Sequence, residues 1–456
     1  MGNVIAVAVA TALVAESTFV SPFIDIPTGI AANAVKGKLP ASANIGSEPR
    51  FGAILEGANV SGVGALTWKS ADNLIWGEAF GATNYQYNVP LTLHNRFRVA
   101  SNSKLFTAVS LYQLQEQGKV NLSRPLSDYL NQTDFEAFGF PNVTTYCPVV
   151  RGSTNCTPPT FIELLAMQAG IEEGLGYQFE PYPGSLALVA GRYIMNPLLF
   201  VPGTAYYYSN PSFSIAAYFV EKFSGVPLAQ YLKENIWDRL GMHNTGLDPY
   251  TGKFRFDPYT AEEWYRFIDP ESPHGLVSVG KCSAEFQTGS MLGSSGVVST
   301  AEDEAKFYFG LFNLSDDGEF GPTVLFQTVE TVIDLIRPRS YMGPYNYYGQ
   351  GIAVVVNVTS LRDGEPFRIE QVWYQGGTPC TDTMNIFDIT RYPPLMAQVF
   401  SNSPAFYLNS SNLTAVNAAA DVDFFEYTGR LHTPPSIYQV AYKLIEEGMR
   451  YVGVRR

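Results

Sequence analysis

The chain has 456 residues, 46% of them hydrophobic and 14% aromatic, with a net charge of −13. That length allows one large domain or two medium ones, and the acidity, broken by no basic run, excludes nucleic acid as an expected partner. The histidines (His94, His243, His274, His432) and cysteines match no H-E-x-x-H or C-x-x-C spacing, so neither a metal nor a cofactor is expected.

In chain order, residues 1–17 read as a signal peptide. Val4 to Ala15 is an apolar run followed by small residues, although no Lys or Arg precedes it. Residues 18–45 read as a leader, and 46–456 as the folded part. No other stretch is long and apolar enough to span a membrane. Ala65 to Trp68 and Leu74 to Phe80, around a turn at Ser70 to Asn73, predict a hairpin. Leu105 to Leu114 is apolar on nearly every face and predicts a buried helix that stops at Gly118. Thr160 with Glu163 predicts a capping box opening a helix over Phe161 to Gln168. A long loop is expected from there to Pro202. Helices are expected at Pro211 to Phe223 and Pro227 to Leu240, and mostly loop from Asp248 to Cys282. A strand at Gly293 to Thr300 and a helix at Ala301 to Leu314 follow. Late strands are expected at Gly351 to Val358, Phe367 to Tyr374, Thr383 to Ile389 and Leu395 to Phe400. Asp363-Gly364 is a hairpin turn signal between the first two. A terminal helix over 437–452 carries its apolar stripe on Ile437, Val440, Ala441, Leu444 and Ile445. Strands early and late with helices between give an α+β fold with an antiparallel sheet.

Three stretches carry chemistry. Ser101 stands at the mouth of the buried helix, and Lys104 lies three residues on, on the same face. A serine hydroxyl needs a base to become a nucleophile, and a lysine whose pKa is lowered by burial can be one. Backbone N–H groups at the helix start suit a developing oxyanion. Tyr208 and Asn210 follow Pro202-Gly203: a phenol beside a cation can serve as a base, and an amide both donates and accepts. Tyr374-Gln375-Gly376-Gly377 ends a strand, where two glycines allow close approach of a substrate.

In this order, these stretches resemble the class C β-lactamase-related serine hydrolases: penicillin-binding proteins, D-aminopeptidases and lactamase-fold esterases. The resemblance runs from Ala53 to Phe400. Supporting blocks are Leu164 to Ile171, Ile236 to Met242 and Gly296 to Asp303. It implies an antiparallel sheet flanked by helices plus an all-α lobe, with the site between them. It implies Ser101 as acylated nucleophile, Lys104 as its proton partner and Tyr208 as general base and acid with Lys104. Asn210 would contact substrate or Lys104, and the N–H groups of Ser101 and Gly377 would form the oxyanion hole. Gln375 and Gly376 would line the substrate site. One departure matters: the family's third motif begins with Lys or His, and here it begins with Tyr374. Loss of that cation weakens the β-lactamase and carboxypeptidase readings and favours a neutral small-molecule acyl substrate. Another is Cys380, where the family often has Gly.

The expectation is a serine hydrolase acting through an acyl-enzyme, esterase-like. The alternatives are β-lactamase, D-amino acid peptidase or acyltransferase, and, from another class, a non-catalytic binding protein on the same fold. Sequons at Asn59, Asn121, Asn131, Asn142, Asn155, Asn313, Asn357, Asn409 and Asn412 suggest a secreted glycoprotein. Cys147 and Cys156 enclose a short loop and are expected to pair. By the resemblance, Cys282 and Cys380 border the cleft and are expected to pair across it.

Overall fold

The computed structural model describes residues 24–26, 49–57, 61–84, 89–173, 182–248, 259–268, 277–281, 291–315, 318–359, 361, 366–378, 381–390, 392–403, 405–407 and 437–452. The signal region, Cys282, Cys380, the Asp363-Gly364 turn and the sequons Asn59, Asn409 and Asn412 lie outside these residues.

Eight strands make the principal sheet: β1 (Ser61–Trp68), β2 (Leu74–Phe80), β3 (Ser340–Gly343), β4 (Asn346–Tyr348), β5 (Ala353–Val356), β6 (Ile369–Thr378), β7 (Thr381–Asp388) and β8 (Leu395–Ser403). Their order is β3-β4-β5-β6-β7-β8-β1-β2, and every neighbouring pair is antiparallel. Early and late segments of the chain meet where β8 pairs with β1. This is the antiparallel α+β arrangement expected, with the predicted hairpin present as β1 and β2.

Alternation along the strands divides the core in two. Trp373, Met384, Ile386, Leu395, Ala397 and Val399 face one side. There α1 (Pro49–Gly57) and the terminal helix Ile437–Tyr451 cover them with Phe51, Leu55, Val440, Ala441, Leu444 and Ile445. Val372, Tyr374, Phe387 and Phe400 face the other side and join the larger core with the remaining helices. The predicted stripe of the terminal helix is thus the stripe that packs.

That larger core is built around α2 (Ser103–Glu116), buried from Ser103 to Leu114. Gly118 follows it at φ 71°, a left-handed stop. The capping box at Thr160 is present, but its helix, α3 (Phe161–Leu165), ends sooner than expected. Met167 turns left-handed at φ 60° and spends its backbone on the Tyr208 loop instead. Two further expectations fail. The loop before Pro202 contains α4 (Leu186–Ile194), capped by Ser185 and buried among aromatic side chains. The region 248–282 contains paired strands at Trp264–Ile268 and Val277–Lys281, the second also pairing with Ile24–Ile26 inside the expected leader. In both cases short apolar runs gain their partner only in the folded chain. The helix α5 (Asn210–Ser224) starts with the Ser209 side chain on Ser212 N, carries Pro211 in its first turn, and stops at Gly225. Among the described residues no helix is long and apolar enough to cross a membrane. Cys147 and Cys156 form the expected disulfide, with Cα atoms 5.0 Å apart.

Candidate active site

Ser101 lies in a 3-10 turn, Ala100–Asn102, that leads into α2 rather than in the α-helix proper. Ala100 holds φ 43°, an unfavourable left-handed geometry for a residue with a Cβ. The turn is pinned to the sheet. Asn102 Nδ2 donates to Val99 O and Thr383 Oγ1, and its Oδ1 accepts from Asn385 Nδ2. Asn385 also reaches Glu304, a carboxyl that burial pushes up to about 8. Gly376 passes so close that a Cβ there would sit 2.1 Å from Val99 O and 2.9 Å from Ser101 N. Only glycine allows that approach.

Lys104 is fully buried, and its nitrogen has three neighbours. Ser101 Oγ is at 2.9 Å, Asn210 Oδ1 at 2.6 Å and the Ser294 carbonyl at 3.0 Å. The last two can only accept. A neutral amine has two N–H groups and one lone pair. Its two N–H groups therefore go to Asn210 and Ser294, and the lone pair is left for the Ser101 proton. Burial lowers Lys104 to about 7, with Glu173 pulling the other way.

Tyr208 donates to Ser101 Oγ at 2.7 Å. The residue is 37% exposed as a whole. Its hydroxyl, however, sits on Ser101 and against Tyr374, and burial pushes it up to about 12, despite its hydrogen bonds with those two groups. The expected phenolate is therefore disfavoured. With Tyr208 donating, the Ser101 proton is free to point at Lys104. The Tyr208 loop hangs on the turn after α3: Tyr207 N donates to Met167 O and Ser209 N to Met167 Sδ.

Asn210 opens α5. Glu173 accepts from both its backbone N (2.7 Å) and its Nδ2 (2.9 Å). Of the two expected contacts of Asn210, the one with Lys104 is present. Tyr374 is buried at 3% exposure, its hydroxyl 2.5 Å from that of Tyr348. Both phenols are held well above their ordinary range by burial and stay neutral. Tyr206 completes this aromatic wall, its ring centroid 6.0 Å from that of Tyr348.

Of the sequence-derived candidates, Ser101, Lys104, Tyr208, Asn210, Tyr374 and Gly376 converge. Gly377 follows on the same strand, open on its Cβ side. Gln375 does not converge. Alternation places it on the Trp373 face, where its Nε2 donates to Asp382 Oδ1 at 2.9 Å. Asp382 is itself pushed up to about 7 by burial. Sequence reading missed Glu173, Tyr348 and Ser294. The pair Glu172-Glu173 just after Gly170 and the aromatic run Tyr345 to Tyr348 were signals for the first two. Ser294 acts through its carbonyl and left none. Among the described residues no acidic, His or Cys cluster could hold a metal.

The family model named Beta-lactamase matches residues 50–405. The chain belongs to the beta-lactamase family, whose members are serine hydrolases. Among curated relatives, a beta-lactamase of Pseudomonas fluorescens is 26% identical over 166 residues, 36% of this chain and 40% of that protein. The acyltransferase calJ of Penicillium decumbens is 33% identical over 159 residues, 32% of this chain and 36% of that one. The chain thus spans well under two thirds of the length of either. The crystal structure of a penicillin-binding protein from Bacillus halodurans matches with a TM-score of 0.56 and 24% identity. It covers 81% of this chain and 98% of that one, a likeness of fold.

Proposed function

We propose that this protein is a secreted serine hydrolase that forms an acyl-enzyme on Ser101 and acts on neutral esters, with neutral amides as poorer substrates. The carrying observation is the environment of the Lys104 nitrogen, whose two acceptor-only neighbours leave its lone pair for the Ser101 proton. Lys104 takes that proton as Oγ attacks the acyl carbon. The oxyanion forms beside the N–H groups of Ser101 and Gly377. As the C–O bond breaks, the leaving alkoxide takes a proton from the Tyr208 hydroxyl, and the resulting phenolate, whose ring centroid lies 4.9 Å from Lys104 Nζ, takes the proton back from the Lys104 ammonium. Water then repeats the sequence on the acyl-enzyme, and free Ser101 returns. An acyltransferase differs only in that an alcohol or amine replaces this water.

Neutral substrates are favoured because Tyr374, an uncharged phenol hydrogen-bonded to Tyr348, replaces the Lys or His with which the family's third motif begins. Contact among Ser101, Lys104 and Tyr208 speaks for chemistry over a binding role on the same fold. Secretion is supported by the Cys147–Cys156 bridge and by the exposure of Asn121, Asn131, Asn142, Asn155, Asn313 and Asn357.

The test is labelling with a fluorophosphonate, located by peptide mass, followed by a panel of p-nitrophenyl esters, a cephalosporin and D-amino acid amides. Labelling of Ser101 with turnover of the esters alone is the expected result. An unlabelled Ser101 would refute the acyl-enzyme.

A further inference from the structure

We propose that Glu173 is a positioning residue for the base: its carboxylate locks the Asn210 amide so that Oδ1, not the amide nitrogen, faces Lys104. The inference rests on the reading of Ser101 as nucleophile and Lys104 as its base.

The geometry is a two-point clamp. Glu173 Oε2 accepts from Asn210 N at 2.7 Å and Oε1 from Asn210 Nδ2 at 2.9 Å. The opposite face of the same amide presents Oδ1 to Lys104 Nζ at 2.6 Å. Flipping the amide would set Oδ1 against Glu173 Oε1, two acceptors without a proton between them. It would also aim an N–H at the lysine nitrogen. That N–H would occupy the lone pair that must accept the Ser101 proton, and the base would be blocked. A carboxylate, which only accepts, makes the productive orientation the satisfied one.

Glu173 also acts by charge. Around Lys104, the 3-10 turn contributes Ser101, the loop before α5 contributes Tyr208, and α5 contributes Asn210 and the Phe213 ring. The turn before Val297 contributes the Ser294 carbonyl. Tyr374 of β6 and Tyr348 of β4 stand behind Tyr208 and remain neutral. Glu173 is the carboxylate among these groups; burial raises its pKa, and the two hydrogen bonds from Asn210 and the charge of Lys104 pull against that rise. Its negative charge favours the ammonium form and opposes the lowering that burial imposes on Lys104. Glu173 thus sets where on the pH scale the lysine becomes a base.

The test follows the second-order rate of Ser101 phosphonylation by a fluorophosphonate against pH, read by intact mass, which depends on no assumed substrate. In Glu173→Gln the midpoint of the rising limb moves to lower pH. Its plateau falls by roughly ten- to a hundredfold as the amide loses its fixed orientation. Glu173→Asp, which keeps the charge, holds the midpoint closer to that of the wild type than Gln does. Glu173→Ala is read in the same way as Gln, so one misfolded variant does not decide the matter. A wild-type plateau in folded Gln and Ala variants overturns the lock on Asn210, a wild-type midpoint overturns the charge effect, and the two together leave Glu173 a structural residue. A wild type that is not labelled at any pH overturns the nucleophile reading instead, and is recognised by the missing signal.

Discussion

The hydroxyl of Tyr374 lies 2.5 Å from that of Tyr348, so the first residue of the third motif is a neutral phenol held by a second one. Tyr374→His should therefore raise the preference for carboxylate-bearing substrates over neutral esters by about tenfold or more. One properly placed charge is ample for the corresponding 1.4 kcal/mol, roughly a single decade of affinity. The ratio of kcat/KM for a cephalosporin to that for a p-nitrophenyl ester measures it. Efficient hydrolysis of benzylpenicillin by the wild type would contradict the role given to the two phenols.

Ser101, Lys104 and Tyr208 meet at one oxygen atom. Ser101→Ala, Lys104→Ala and Tyr208→Phe should each cut turnover by about a thousandfold or more. The double variants should be hardly worse than the single ones, because the groups act as a unit. Retention of most activity in Ser101→Ala would rule out the mechanism.

Lys104 must be neutral to accept the Ser101 proton, and burial brings it to about 7. Below that pH the ammonium has no lone pair, so kcat/KM should fall about tenfold per unit of pH. Above it the rate should level off and stay level into alkaline solution, since Tyr208 lies at about 12 and keeps its proton. A pH profile from 5 to 9 measures this. A flat line across that range would remove Lys104 from the role of base.

Glu304 is buried behind the nucleophile turn and is raised to about 8 from an ordinary 4.5. A folded-state value above the unfolded one means that the folded protein holds the extra proton between those two values. The stabilisation is complete below about 4.5 and is lost as the pH rises toward 8, at no more than about 1.4 kcal/mol per unit. Glu304→Gln, neutral at every pH, should flatten that decline. Urea midpoints between pH 5 and 9 compare the two, and equal slopes would refute the linkage.

Much of the site was legible before any coordinates. Ser101, in the 3-10 turn, and Lys104, in the first turn of α2, stand three apart, so local geometry alone brings them together. The capping box at Thr160, the Pro211 helix start and the stripe from Ile437 to Ile445 likewise depend on neighbours a turn or two away. What the sequence could not show was set by contacts between distant segments. Strands of three or four residues, such as β3 and β4, are too short to display a period, and they exist because β4 pairs with β5 and β3 with β4. The aromatic run hinted at Tyr348, but only the pairing of these strands carries it to the site. The chemical character of Lys104 was decided in the same way. Its spacing from Ser101 says that it can be a base. Only the folded chain brings the Ser294 carbonyl, Asn210 and Glu173 to its nitrogen, and those three, with burial, determine where its lone pair points and when it is free.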